Sequence, residues 1–104
     1  GSMTMSVADV ITESTTFNGS ETIIPVNTSG GAVTITIDSE QKVAGRILII
    51  KDLAGGESNN PLTIATEGNE QIQFSGNELS NSFTSTSDWV RIHLFCDGSN
   101  WYDI

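Results

Sequence analysis

One histidine, one cysteine and thirteen carboxylates among 104 residues set what chemistry this chain could do. A Ser-His-Asp or Cys-His arrangement must use His93, the lone imidazole. Cys96 follows three residues later in a stretch of extended pattern. That spacing puts the two side chains on opposite faces, and no G-x-S-x-G turn accompanies them. Zinc needs more soft ligands than one His and one Cys supply. Paired-carboxylate hydrolysis needs two acids roughly 5–9.5 Å apart across a cleft, and loops this short leave little chain to wall one. Asp38 and Glu40 flank Ser39, Glu67 and Glu70 flank a Gly-Asn pair, and no D-x-[DN]-x-[DN]-G calcium loop occurs. The acids therefore read as a solvated surface, with no catalytic, metal or cofactor site expected.

Recognition chemistry is better represented. Exposed Trp and Tyr rings stack on the apolar faces of sugars, and the last sixteen residues, W-V-R-I-H-L-F-C-D-G-S-N-W-Y-D-I, gather Trp89, Phe95, Trp101 and Tyr102. In an extended chain Val90, Ile92, Leu94 and Cys96 share one face, and Arg91, His93, Phe95 and Asp97 the other. Asp97-Gly98-Ser99-Asn100 is a tight turn, because Gly accepts positive φ and Asp and Asn bond their own backbone. A closing β-hairpin is expected. Its inward row includes Cys96 as a small core side chain, and Trp101 is expected to anchor the core. Burying such a ring removes about 150–250 Å², on the order of 4–6 kcal/mol at ~25 cal/mol/Å². Contact with a receptor or glycan falls to Trp89, to the outward Arg91, His93 and Phe95, and to Tyr102.

The elements that must position these residues are short strands. Thr, Ser, Asn and Gly supply the polarity, charged residues are only 16%, and no run of helix formers shows a helical period. Gly1-Ser2-Met3 reads as the residue of an expression tag, 4–14 as a connector from an upstream region, and 15–104 as one β domain. Thr15–Phe17 and Glu21–Val26 are expected strands, the second at an edge or ending at Pro25, which lacks a donor. Val33, Ile35 and Ile37 point inward from a third. Arg46-Ile47-Leu48-Ile49-Ile50-Lys51 is apolar on both faces, as in a strand covered on two sides, so Ile47, Leu48, Ile49 and Ile50 are expected at a subunit interface. Leu62–Ala65, Ile72–Phe74 (stopped by Ser75-Gly76-Asn77) and a weak stretch through Leu79 and Phe83 lead to the hairpin. Eight or nine such strands predict an all-β antiparallel sandwich, jelly roll or β-prism.

Charge narrows the partners. Thirteen acids against four bases give −9, and Lys42, Arg46, Lys51 and Arg91 cannot build the basic face that nucleic acid or an anionic membrane surface requires. No run of eighteen apolar residues exists, so no membrane insertion is expected.

Four motifs in order, S-G-G-A-V-T-I-T-I (29–37), A-G-R-I-L-I-I-K-D (44–52), N-N-P-L-T-I (59–64) and F-C-D-G-S-N-W-Y-D-I (95–104), resemble a small β domain of bacteriophage tail fibres, tail spikes and related viral fibre proteins. The resemblance covers about 22–104. Ala44 stands where that family usually has Pro, and Q-I-Q-F-S-G (71–76) replaces its commoner I-D-G form. It implies a non-enzymatic homotrimeric module of a virion fibre or spike, extracellular when mature. Its implied partners are the upstream fibre or other virion proteins and a host-surface glycan or protein receptor. No catalytic residues transfer with it. The alternative from a different class is a monomeric carbohydrate-binding module of a larger enzyme or adhesin.

Overall fold

Apolar residues recurring at every second position fix the elements, because each inward row must find a facing row to cover it. The computed structural model describes residues 4–74 and 78–104. Nine strands occur among them: β1 (Thr15–Phe17), β2 (Ile23–Val26), β3 (Val33–Ile37), β4 (Ile47–Asp52), β5 (Leu62–Thr66), β6 (Ile72–Gln73), β7 (Ser82–Ser85), β8 (Arg91–Cys96) and β9 (Trp101–Asp103). A single 3-10 turn at Ser39–Gln41 is capped by Asp38, whose side chain accepts from the Glu40 N–H. The tag residues Gly1-Ser2-Met3 and the expected stop at Ser75-Gly76-Asn77 lie outside the described residues.

The strands form a four-stranded sheet of order β1-β3-β5-β7 and a five-stranded sheet of order β2-β4-β8-β9-β6. From β1 to β8 the chain changes sheet at every connection. That path stacks β1, β3 and β5 in parallel, and β2 beside β4 in parallel, like successive turns of a flattened coil. β6 would come next to β4 in such a coil, but the closing hairpin is inserted between them. β8 runs antiparallel to β4 and β9 parallel to β6. The sheets are thus mixed, with four of the seven described strand pairings parallel, and not antiparallel as the short alternating strands suggested. Alternation reports a half-buried strand and says nothing of its direction. The polar connections carry the chain from one sheet to the other instead of returning it along the same sheet.

The two sheets enclose one core. Val33, Ile35, Ile37, Leu62 and Ile64 come from the four-stranded sheet, and Ile24, Val26, Leu48, Ile50, Ile92, Leu94 and Trp101 from the other. Segment 4–14 is bound to this body: Val7 bridges Ile23 and Ile11 bridges Val26, both in parallel. The Ile11 N–H donates to the Pro25 carbonyl at 3.0 Å. A residue's N–H and C=O point the same way in a strand, so the donor that Pro25 lacks falls on this discontinuous side and not toward β4.

Candidate functional site

Two surfaces bring the candidate residues together. The first is the outer face of the five-stranded sheet, where register sets side chains in rows. Ile47, Phe95, Tyr102 and Gln73 form one row, Ile23, Ile49 and His93 the next, and Pro25, Lys51 and Arg91 a third. Ile47 is 38% exposed, while Ile23, Ile49, His93, Phe95 and Tyr102 are half-buried. The Phe95 and Tyr102 rings meet at 5.7 Å between centroids with a 32° tilt, inside the range of favourable aromatic pairs. The four interface candidates separate here. Leu48 and Ile50 are consumed by the core and fully buried, which leaves Ile47 and Ile49 for any partner. Arg91, His93, Phe95 and Tyr102 share the face with them.

Trp89 is apart from that group, at the corner where the chain enters β8. It is 58% exposed, and among the described residues it is the one non-glycine with positive φ, at 63°. A bulky residue there costs on the order of 1–3 kcal/mol and persists only where its surroundings over-determine it. Asp52 and Lys51 supply that. Asp52 Oδ2 accepts from the N–H of Trp89 at 2.8 Å and of Gly55 at 2.7 Å, and Oδ1 from Ala54 at 3.1 Å. Lys51 Nζ donates to the Trp89 carbonyl at 2.6 Å. The indole lies directly against Gly55, where a Cβ would collide with it and where φ is +71°. Asp88, next in sequence, accepts from the Ser58 N–H at 2.8 Å and ties the same corner to the 53–60 loop.

Asp52 is completely buried, and so is Glu57 five residues on. Burial raises the Glu57 carboxyl to about 7, with the contact to Asp52 and the charges of Asp52 and Asp88 adding to it and its own backbone N–H opposing them. Burial also opposes ionisation of Asp52. The bond from Glu57 and the backbone donors of Ala54, Trp89 and Gly55 outweigh it, and hold Asp52 below the usual carboxylate range. The acids thus divide: Asp52, Glu57 and Glu70 are interior groups and not the solvated surface expected of carboxylates in this chain. The signal for Asp52 lay in parity, since it shares a face with Leu48 and Ile50. Glu57 left none, because its burial depends on how a loop turns back.

The remaining chemistry-bearing residues stay apart. Cys96 is buried in the core, its thiol pushed up mainly by burial, with Sγ accepting from the Gly98 N–H at 3.3 Å. His93 is separated from it by the thickness of the sheet, on the outer face. Among the described residues no group of three or more His, Cys, Asp or Glu side chains could hold a metal ion. No helix among them is long and apolar enough to cross a membrane. No family model and no curated protein matches the chain.

Proposed function

We propose that this chain is a non-enzymatic virion fibre or spike-tip domain. Its copies meet as a homotrimer through the outer face of the five-stranded sheet, and its exposed corner at Trp89 is turned to a host-surface receptor. One observation carries the assembly part: the apolar band Ile23, Ile47, Ile49, Phe95 and Tyr102 across that face. A sheet face turned to water alternates apolar-in with polar-out, and contiguous exposed apolar surface marks an interaction site. The threefold count and the virion setting rest on the four fibre-like motifs, two of which, 44–52 and 95–104, supply Ile47, Ile49, Phe95 and Tyr102 of the band. Charge fits this too, since at −9 unassembled copies repel until a specific face brings them together.

The test is molar mass in solution by light scattering at micromolar concentration. Three times the chain mass is expected. A clean monomer overturns the reading.

One feature favours the second reading, a monomeric carbohydrate-binding module: Trp89, 58% exposed with its indole set against Gly55, is a suitable sugar platform. Glycan binding by a monomer, lost in Trp89→Ala, would establish it in place of the first.

A further inference from the structure

Two carboxyl groups lie buried where β4 runs into the 53–60 loop, and donors from other residues reach only one of them. Asp52 has three backbone N–H partners. Glu57 is equally buried, and among the described residues only its own backbone N–H favours its charge, with no donor from another residue reaching its oxygens. Its neighbour is another acceptor, so the bond between the two carboxyls exists only while Glu57 carries a proton and donates it to Asp52. An ionised Glu57 here would be a buried charge with no cation to pair it, helped only by its own backbone N–H and set beside a second negative charge, an arrangement that costs far more than the neutral acid.

The groups facing it from other elements do not relieve this. Asp88, from the turn before β8, adds a further negative charge. Thr28, from the β2–β3 connection, is uncharged; its buried hydroxyl has no partner among the described residues and lies 3.1 Å from where a Cβ on Gly56 would stand. The ammonium of Lys51, the cation next to Asp52 in sequence, is directed to the Trp89 carbonyl.

We propose that Asp52 and Glu57 form a proton-sharing pair that latches the Trp89 corner, and that removing the shared proton releases Trp89 from its strained conformation. The step is Glu57-COOH with Asp52-COO⁻ going to two carboxylates, the proton passing to solvent. The two charges then repel across the contact. Asp52 Oδ2 is the atom that holds both Gly55 and Trp89, so any withdrawal of Asp52 from Glu57 loosens the loop and the corner together. Trp89, at positive φ, relaxes once that hold weakens. The opening lies near neutral pH, since Glu57 sits at about 7. The latch does not depend on what Trp89 binds.

The experiment is an NMR titration of the full chain across neutrality, following the Glu57 side-chain carboxyl carbon together with the amide and indole signals of Trp89. Glu57 is expected to titrate with a midpoint of about 7, and the Trp89 and Gly55 amides to shift with the same midpoint. The indole signal of the buried Trp101 is expected to stay still. In Glu57→Gln, which keeps a donor toward Asp52 and cannot ionise, the Trp89 signals are expected to hold their low-pH positions throughout. Three results would overturn the proposal. Glu57 could titrate at its ordinary value of 4.5. Trp89 could shift with an unchanged midpoint in Glu57→Gln. Added calcium could remove the Glu57 titration at equal pH, which would make a cation and not a proton the counter-charge. Should Glu57→Gln not fold, the carboxyl midpoint in the unaltered chain and its coincidence with the Trp89 shift decide the matter alone.

Discussion

The outer faces of the two sheets differ in kind, although both sheets are built of short strands whose inward rows meet in one core. On the four-stranded sheet the outward rows are Thr34, Thr63 and Thr84, then Thr16, Thr36, Ala65 and Ser82. Two rows of the five-stranded sheet hold Ile23, Ile47, Ile49, Phe95 and Tyr102, with only His93 and Gln73 polar among them. Threonine is β-branched, so it satisfies the strand as isoleucine does, and it also gives water or a neighbour a hydroxyl. Thr63 and Thr84 use theirs on each other, Oγ1 to Oγ1 at 2.9 Å. Backbone preference alone therefore does not require isoleucine on an outer face. One face is thus finished for solvent, and the other carries apolar surface that strand formation does not explain.

The sharpest way to break that distinction is within one strand. Ile50 and Ile49 are neighbours in β4, the first fully buried and the second on the outer face. Ile50→Ala is expected to cost about 2–5 kcal/mol in urea denaturation, from lost transfer energy and the cavity left behind. Ile49→Ala in dilute, unassembled protein is expected to cost less than about 1 kcal/mol. Equal costs would mean that Ile49 already serves the fold, and the outer face would lose its special standing.

Next in size is the pH dependence at the edge of the same strand. The folded state raises Glu57 from 4.5 to about 7, so its contribution is complete below the first value and is lost as pH rises through the second. That amounts to roughly 3 kcal/mol by linkage. Asp52 is lowered on folding, so its contribution runs the other way, present above the ordinary carboxylate range and lost on acidification. General charge repulsion in a chain of −9 also weakens the fold as pH rises, so the informative quantity is a difference. Urea midpoints of the unaltered chain should fall between weakly acid and weakly alkaline pH by more than those of Glu57→Gln. Parallel curves would remove Glu57 as the cause.

Both of these residues show where a linear pattern stops being informative. The rows of β3 and the closing hairpin were legible because alternation and turn chemistry are local. Val33, Ile35 and Ile37 face the core as their spacing implies, and Asp97 Oδ1 takes the N–H groups of Ser99 and Asn100, both at 2.8 Å. Trp101 is buried without exposure, as an anchor should be. Its indole N–H has no partner among the described residues, which no spacing rule could foretell. The run Ile47–Ile50 was legible as unusual, but its two faces were not assigned until Leu48 and Ile50 were seen opposite Leu94 and Ile92. The parallel coil and the insertion of β8 and β9 between β4 and β6 arise from pairings between distant segments. Asp52 obeys the parity of its strand although its charge points to solvent, and the N–H groups of Ala54, Gly55 and Trp89 reconcile the two.

Association should separate the faces by a smaller amount. Ile49→Lys places a charge in the middle of the apolar band, and if copies pack there the loss is expected to be about 2 kcal/mol, roughly 30-fold in the association constant by sedimentation. Thr63→Lys, the matching change on the other sheet, is expected to leave it unaltered. A reversed result would move the interface to the threonine face.

The smallest effect tests whether that threonine face is as self-contained as it looks. A cross-strand hydroxyl pair contributes roughly 0.2–1 kcal/mol, so Thr63→Val and Thr84→Val should each lower stability within that range. Their double variant should lose less than the sum, because the hydroxyl contact can be lost only once. Valine keeps the branched shape, so the strands and their register survive the change. If instead the double variant self-associates, apolar surface on any outer face of this fold suffices for assembly, and the isoleucines of β4 confer no specificity of their own. Unchanged molar mass with a measurable coupling between the two threonines would leave the Ile47, Ile49, Phe95 and Tyr102 band as the face whose side chains have a partner other than water.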